Sequence, residues 1–390
     1  MAKLIRTGRA RLKMLVALIA AVMPAVVLAE PVVPQAEQLD VATLKADSPH
    51  RVFTPMSTFG GAGFVILDGD SLAVEGAIPH SQGVLALDPA GQAFYVCETI
   101  YTRGNRGTRQ DLVSVYDART LNLRSEIPIP GRLIGPYPHN CDISGGGKYL
   151  YVYNMEPASS VIVVDLARRR VASVAELPGC SAAFPWRDEG FAALCGDGTL
   201  AMVSITGNGG SKVLAHTQRF FDADNDPIVE GSVVDRGSGR AYFLSYTGLI
   251  YPVQLSDHPS IEKPWSLQGA AGQPVAGTGV QELAWRPGGW GMLAWNKAKN
   301  RLYVLMHMGT HWTQMKPGTE VWVLDAGAHT LLKRLELPEP TSGIAISQDE
   351  APLLYALSEN GDIHSLDAET GQQKVKGTVR TGVIAWVPGF

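Results

Sequence analysis

His307 and His311 lie four residues apart, a spacing that on a helix would present both rings to one metal ion. Here Gly309 lies between them and a strand-like run, Arg301 to Met306, precedes them, so a polar loop is expected instead. Asp111, Asp117, Asp165, Asp325 and Asp367 recur at one position of a repeated pattern, which suits turn capping better than paired-carboxylate catalysis. The chain has no GxSxG and no Ser/His/Asp arrangement with motif support. Gly60-Gly61-Ala62-Gly63 opens a strand rather than a helix, which argues against a phosphate cradle. No catalytic, cofactor-binding or metal-ligating residue is therefore expected on this chain.

Two other segments carry residue types suited to recognition. Thr102 to Asp111 is a glycine-spaced loop with Arg103, Arg106 and Arg109, a set able to grip carboxylates on an acidic partner. The competing reading is a solvated hairpin in which Arg109 and Asp111 pair locally. Trp285, Arg286, Trp290 and Trp295 crowd into eleven residues, and Trp312 lies in a second loop-like stretch, Gly309 to Gly318. Such aromatic clusters are either core plugs or interface anchors, and an interface is expected for at least one of these loops.

The elements that must position these loops are strands. Seven apolar alternating runs each end in a polar turn residue: Asp68, Asp117, Asp165, Thr206, Ser256, Asp325 and Asp367. Their closing residues are 49, 48, 41, 50, 69 and 42 positions apart. A repeat of this length, one β-meander per unit, implies an all-β fold, a seven-bladed β-propeller spanning 51–390. The long fifth interval reflects an insertion within 258–295, where function is expected to collect. The ring is expected to close by an N-terminal strand, near Arg51 to Met56 or Phe64 to Leu67, completing the blade built from 363–386.

A net charge of −4 with no basic stripe beyond the N-terminus argues against nucleic acid as a partner. Residues 1–29 resemble a signal peptide: a basic stretch from Lys3 to Lys13, an apolar run from Met14 to Leu28, and small residues before a cleavage point after Ala29. Residues 30–50 read as a flexible N-terminal arm. The expectation is an exported protein, periplasmic in a Gram-negative source, with no membrane anchor after cleavage. Four cysteines fit an oxidising compartment. Cys180 and Cys195 bracket a strand–turn–strand passage and are expected to form a disulfide; Cys97 and Cys141, placed in equivalent strands of successive units, either pair or stay buried thiols.

At these same loops the chain resembles the heavy subunit of quinoprotein amine dehydrogenases, the methylamine and aromatic amine dehydrogenase family. The resemblance lies in Arg106 to Asp117, Gly179-Cys180 through Gly198, Phe220 to Asp226, Trp285 to Trp290 and Ile346 to Ser358, in order from about residue 85 onward. It implies a seven-bladed large subunit that assembles two heavy with two light chains. It also implies that the light chain carries a tryptophan tryptophylquinone, none being on this chain. A primary amine, methylamine favoured, would be oxidised to aldehyde and ammonia, with electrons passing to a small blue-copper protein. Relatives carry a Phe bordering the substrate entrance; the matching stretch, Gly76 to Gly83, has none, which leaves Ile78 and Ser81 as channel candidates and amine preference open. The alternatives are an aromatic amine dehydrogenase large subunit, or a free-standing propeller acting as a lactonase-like enzyme or a binding scaffold.

Overall fold

Apolar segments pair edge to edge, and the chain builds from them seven antiparallel sheets whose middle strands, such as Ser160–Asp165 and Leu353–Leu357, are buried on both faces while outer strands such as Arg170–Glu176 are largely exposed. The computed structural model describes residues 43–45, 48–58, 61–80, 82–135, 137–229, 231–380 and 383–389. The signal peptide and most of the 30–50 arm lie outside the described residues, as does Ser81. In each sheet the strands lie side by side in chain order. Blade 1 runs Gln82–Leu87, Ala93–Arg103, Arg106–Asp117 and Leu123–Pro128. Blade 2 is built on Tyr149–Glu156, Ser160–Asp165 and Arg170–Glu176, with Cys141–Ile143 and Arg132–Leu133 on its inner side. Blade 3 runs from Cys180–Trp186 to Ser211–His216, and blade 4 from Val233–Val234 to Ser260–Ile261. Blade 5 holds Ala284–Pro287, Leu293–Asn296, Arg301–Gly309, Gly318–Asp325 and Thr330–Thr341; blade 6 runs from Gly343–Ile346 to Gln373–Thr378.

Blade 7 corrects the expected closure. Blade 6 is complete without help from the N-terminus. The strands Arg51–Thr58, Gly61–Asp68 and Val74–His80 form their own sheet, and the C-terminal segment at Trp386 supplies its inner strand. Phe53 and Trp386 exchange both backbone hydrogen bonds, at 3.0 and 2.9 Å. Trp386 then meets Phe64 edge-on at 5.5 Å. Closing the ring in this way removes an unpaired sheet edge.

Successive blades are joined by aromatic pairs: Phe53–Phe94 between blades 7 and 1, Tyr151–Phe191 between 2 and 3, Phe184–Phe243 between 3 and 4, and Tyr242–Trp295 between 4 and 5. Both cysteine pairs are disulfides. Cys180 and Cys195 face each other across neighbouring strands of blade 3. Cys97, on the second strand of blade 1, reaches Cys141 on the inner strand of blade 2 across a Cα–Cα distance of 6.1 Å. The two cysteines of this pair occupy non-equivalent strands, which is what lets the bridge cross from one blade to the next.

The repeated aspartates cap turns. Asp117 Oδ1 accepts the N–H groups of Arg119 and Thr120, and Asp325 and Asp367 repeat the pattern at their own turns. Backbone hydrogen bonds, led by that from Thr120, hold the Asp117 carboxyl well below the ordinary carboxylate range. Asp111 departs from this pattern, lying buried within a strand rather than at its end.

His50 latches the closed ring. Its Nδ1 lies 2.9 Å from Asp70 of blade 7 and its Nε2 3.1 Å from Asp349 of blade 6, while Tyr355 donates to its carbonyl. Burial opposes charging of the ring, but the two carboxylates outweigh it and raise the His50 pKa above 6.5. A raised folded-state pKa gives stability that is complete below the unfolded value and is lost as pH rises through the folded one. The resistance of the wild type to urea is therefore expected to fall above pH about 6.5, and His50→Gln should lack that part of the slope. Identical pH profiles would show that the latch contributes nothing.

Candidate functional site

Strand direction alternates within every blade, so two kinds of connection open at the same end of the propeller. These are the loop between the second and third strands, and the loop from the fourth strand to the next blade. The capping aspartates sit at the third-to-fourth turns, at the opposite end. The Arg103–Arg106 hairpin, the segment 267–283 and the loop 309–318 therefore share one end, and it is there that exposed apolar side chains gather.

Blade 5 carries most of them. Trp312 is 51% exposed, and Met308, Met315, Val275, Val280 and Leu283 are exposed on the same strand, loop and insertion. The Trp312 indole meets Tyr246 of blade 4 edge-on at 5.8 Å. Its backbone has φ +63°, a left-handed conformation that is strained for a bulky residue. A tryptophan held in strain with its ring half in water is poorly explained by folding alone. Trp290 is 38% exposed and stacks on Tyr137 from the blade 1–2 connection, with ring centroids 6.3 Å apart.

The other residues of the tryptophan-rich segment are committed inside the fold. Trp285 is half-buried against Trp322 at 5.7 Å, with the Arg334 guanidinium 4.6 Å from its ring. Arg286 is 2% exposed and donates to the carbonyls of Gly309, Gly277 and Glu282, tying the insertion to blade 5. Burial lowers its pKa. His307 is buried on the strand Arg301–Gly309, its Nε2 2.8 Å from Thr313 Oγ1, and burial pushes its pKa down to about 4. His311 follows in the turn, so the two histidines share no helix face.

In blade 1 the second and third strands are 11 and 12 residues long, against 5 and 6 in blade 6, so the hairpin between them stands out from the ring. Arg103 and Arg106 at its tip are exposed. Arg109 is not part of that tip: its Nε lies 2.7 Å from Asp111 Oδ2 and its terminal nitrogen 2.7 Å from Oδ1. Asp111 also accepts from Thr99 and from the Leu133 N–H. Burial alone would raise the Asp111 pKa, but these donors bring it down. Ile78 is fully buried in the core shared by blades 7 and 1, away from any surface.

Sequence reasoning missed the axis. Asp142, 1% exposed, accepts from Arg236 Nε at 2.6 Å and lies 2.9 Å from His139 Nδ1, while His139 Nε2 lies 2.6 Å from the Ser232 carbonyl oxygen. Burial would raise the Asp142 pKa; Arg236 and His139 outweigh it. Asp142 and Arg236 are 94 positions apart and the group belongs to no motif, so nothing in the sequence joins them. Among the described residues, one cluster has metal-ligand spacing, Cys180, Cys195 and His216, and its sulfurs are already joined to each other.

Residues 55–383 match the family model for the methylamine dehydrogenase heavy chain. The methylamine dehydrogenase heavy chain of Methylorubrum extorquens is 30% identical over 364 residues, 87% of this chain and 85% of the relative. That of Methylobacillus flagellatus is 31% identical over 294 residues, 74% and 71% of the two chains. Among solved structures, the β-propeller domain of Myceliophteria thermophila Cps50 superposes with a TM-score of 0.53 at 12% identity, covering 81% of this chain and 94% of that one. A dihydro-heme d1 dehydrogenase does so with a TM-score of 0.52 at 15% identity, covering 91% and 79%. At these identities the two structures speak for the propeller fold alone.

Proposed function

Because this chain belongs to the methylamine dehydrogenase heavy chain family and is the large subunit of an amine dehydrogenase, we propose that its exposed apolar end is the platform for a small quinone-bearing subunit. Two heavy and two light chains would make up the enzyme, in the periplasm. The light chain's tryptophan tryptophylquinone supplies the electron sink for oxidising a primary amine to aldehyde and ammonia, and a small blue-copper protein takes the electrons onward. This chain offers poor ground for such a group. Its four cysteines are paired with each other, and its neighbouring Trp285 and Trp322, tilted 48° to one another, both pack against Arg334 in blade 5. Its own residues bind and orient the partner and exclude water from the contact. Methylamine, or another small primary amine, is the favoured substrate, supported by the names of the relatives.

The observation that carries this reading is Trp312, strained and half-exposed at the end of the propeller that also exposes Met308, Met315, Val280 and Leu283. Large aromatic anchors ringed by apolar contacts are where binding energy concentrates. Arg103 and Arg106, on the hairpin at the same end, are free to meet carboxylates at the rim.

Co-expression with a small-subunit gene of the family and purification from the periplasm should yield a stable complex with quinone absorbance. A lone chain without a chromophore would overturn the reading. Trp312→Ala is expected to weaken assembly by about 2 kcal/mol or more, and Trp290→Ala to act in the same direction. The measure is light-chain retention on a tagged heavy chain; unchanged retention in both would place the interface elsewhere.

A further inference from the structure

The family assignment does not account for the centre of the propeller. A cavity of about 100 Å³ lies on the axis beneath the Tyr137–Trp290 stack. Its wall is largely apolar, drawn from the inner strands and the C-terminal segment, and includes Val233, Leu293, Ile344, Ile346, Ile384 and Trp386. Arg236 and His139 bring charge-bearing side chains to it. Arg236 gives its Nε to Asp142, and its two terminal nitrogens have no hydrogen-bond partner among the described residues. His139 is committed on both ring nitrogens, to Asp142 and to the Ser232 carbonyl. Arg236 also lines the neighbouring cavity, together with Lys297 and Asp235, which pair at 3.1 Å.

An apolar chamber with one guanidinium edge left open matches an anion that has a planar head and an apolar tail. With Nε committed to Asp142, the guanidinium can take a carboxylate end-on through parallel N–H donors on its two terminal nitrogens, and the apolar setting strengthens that contact. Cavities of roughly 150 Å³ hold a benzene-sized molecule, so the occupant here is short. We propose that the axial cavity binds a small aliphatic monocarboxylate, its carboxylate on the terminal nitrogens of Arg236, its alkyl tail among Val233, Leu293 and Ile344, and the Tyr137–Trp290 stack over it. This site lies within the chain itself and does not depend on the partner subunit.

The test uses the full chain, alone and in its complex, with butyrate as probe and butyramide as its uncharged counterpart. Saturation-transfer NMR and calorimetry are expected to show one saturable butyrate site, with butyramide weaker by at least about tenfold, the scale of a charge-assisted hydrogen bond. Arg236→Gln should abolish the preference. Equal binding of the two probes to the wild type would overturn the proposal, whether or not Arg236→Gln folds. So would the absence of saturable butyrate binding.

Discussion

Asp142→Ala is expected to destabilise the propeller by about 3–5 kcal/mol, the cost of leaving buried charge without its partner. Asp142 is 1% exposed, and its carboxylate is where Arg236 and His139 meet. It also ties the inner strand of blade 2 to the Arg236 turn of blade 4, so its removal loosens two blades at once. Asp142→Asn keeps the shape and one acceptor and should recover part of the loss. Denaturation midpoints with unchanged m-values are the measurement. A loss under about 1 kcal/mol, the size of one ordinary hydrogen bond, would show that the three groups contribute little as a unit.

Removing the Cys97–Cys141 disulfide has the next largest expected effect. The bridge closes a loop with a sequence separation of 44, and restricting a loop of that length in the unfolded chain is worth roughly 4 kcal/mol in the chain-entropy account. The 15-residue separation of Cys180–Cys195 gives about 3 kcal/mol. Cys97→Ala with Cys141→Ala should therefore lower the unfolding midpoint more than the paired change at Cys180 and Cys195. The reverse order would mean that blade 3 geometry, rather than loop length, sets the contribution. Both bridges persist in an oxidising compartment, in line with the periplasmic location proposed above.

The seven-bladed fold was legible because each blade repeats one local rule. An alternating strand ends in a residue whose side chain caps its own turn, and that rule operates within a few positions, as at Asp117 and Asp325. The family resemblance was legible for a related reason, since continuous strings such as Arg106 to Asp117 survive in the chain as neighbours. The Cys180–Cys195 pairing needed one hairpin and no more.

What the sequence by itself determined is therefore the repeat, the number of blades, the near disulfide and the lineage. Tertiary structure alone decided which residues of a suggestive segment face water. It buried Arg286 and Ile78, locked Arg109 onto Asp111, and left Trp312 and Trp290 outside. It also brought Asp142, His139 and Arg236 together on the axis and gave Trp386 to blade 7 instead of blade 6. The physical reason is range: turn caps and strand alternation are set by near neighbours, whereas exposure and ring closure depend on which distant strands a side chain meets once every blade is in place.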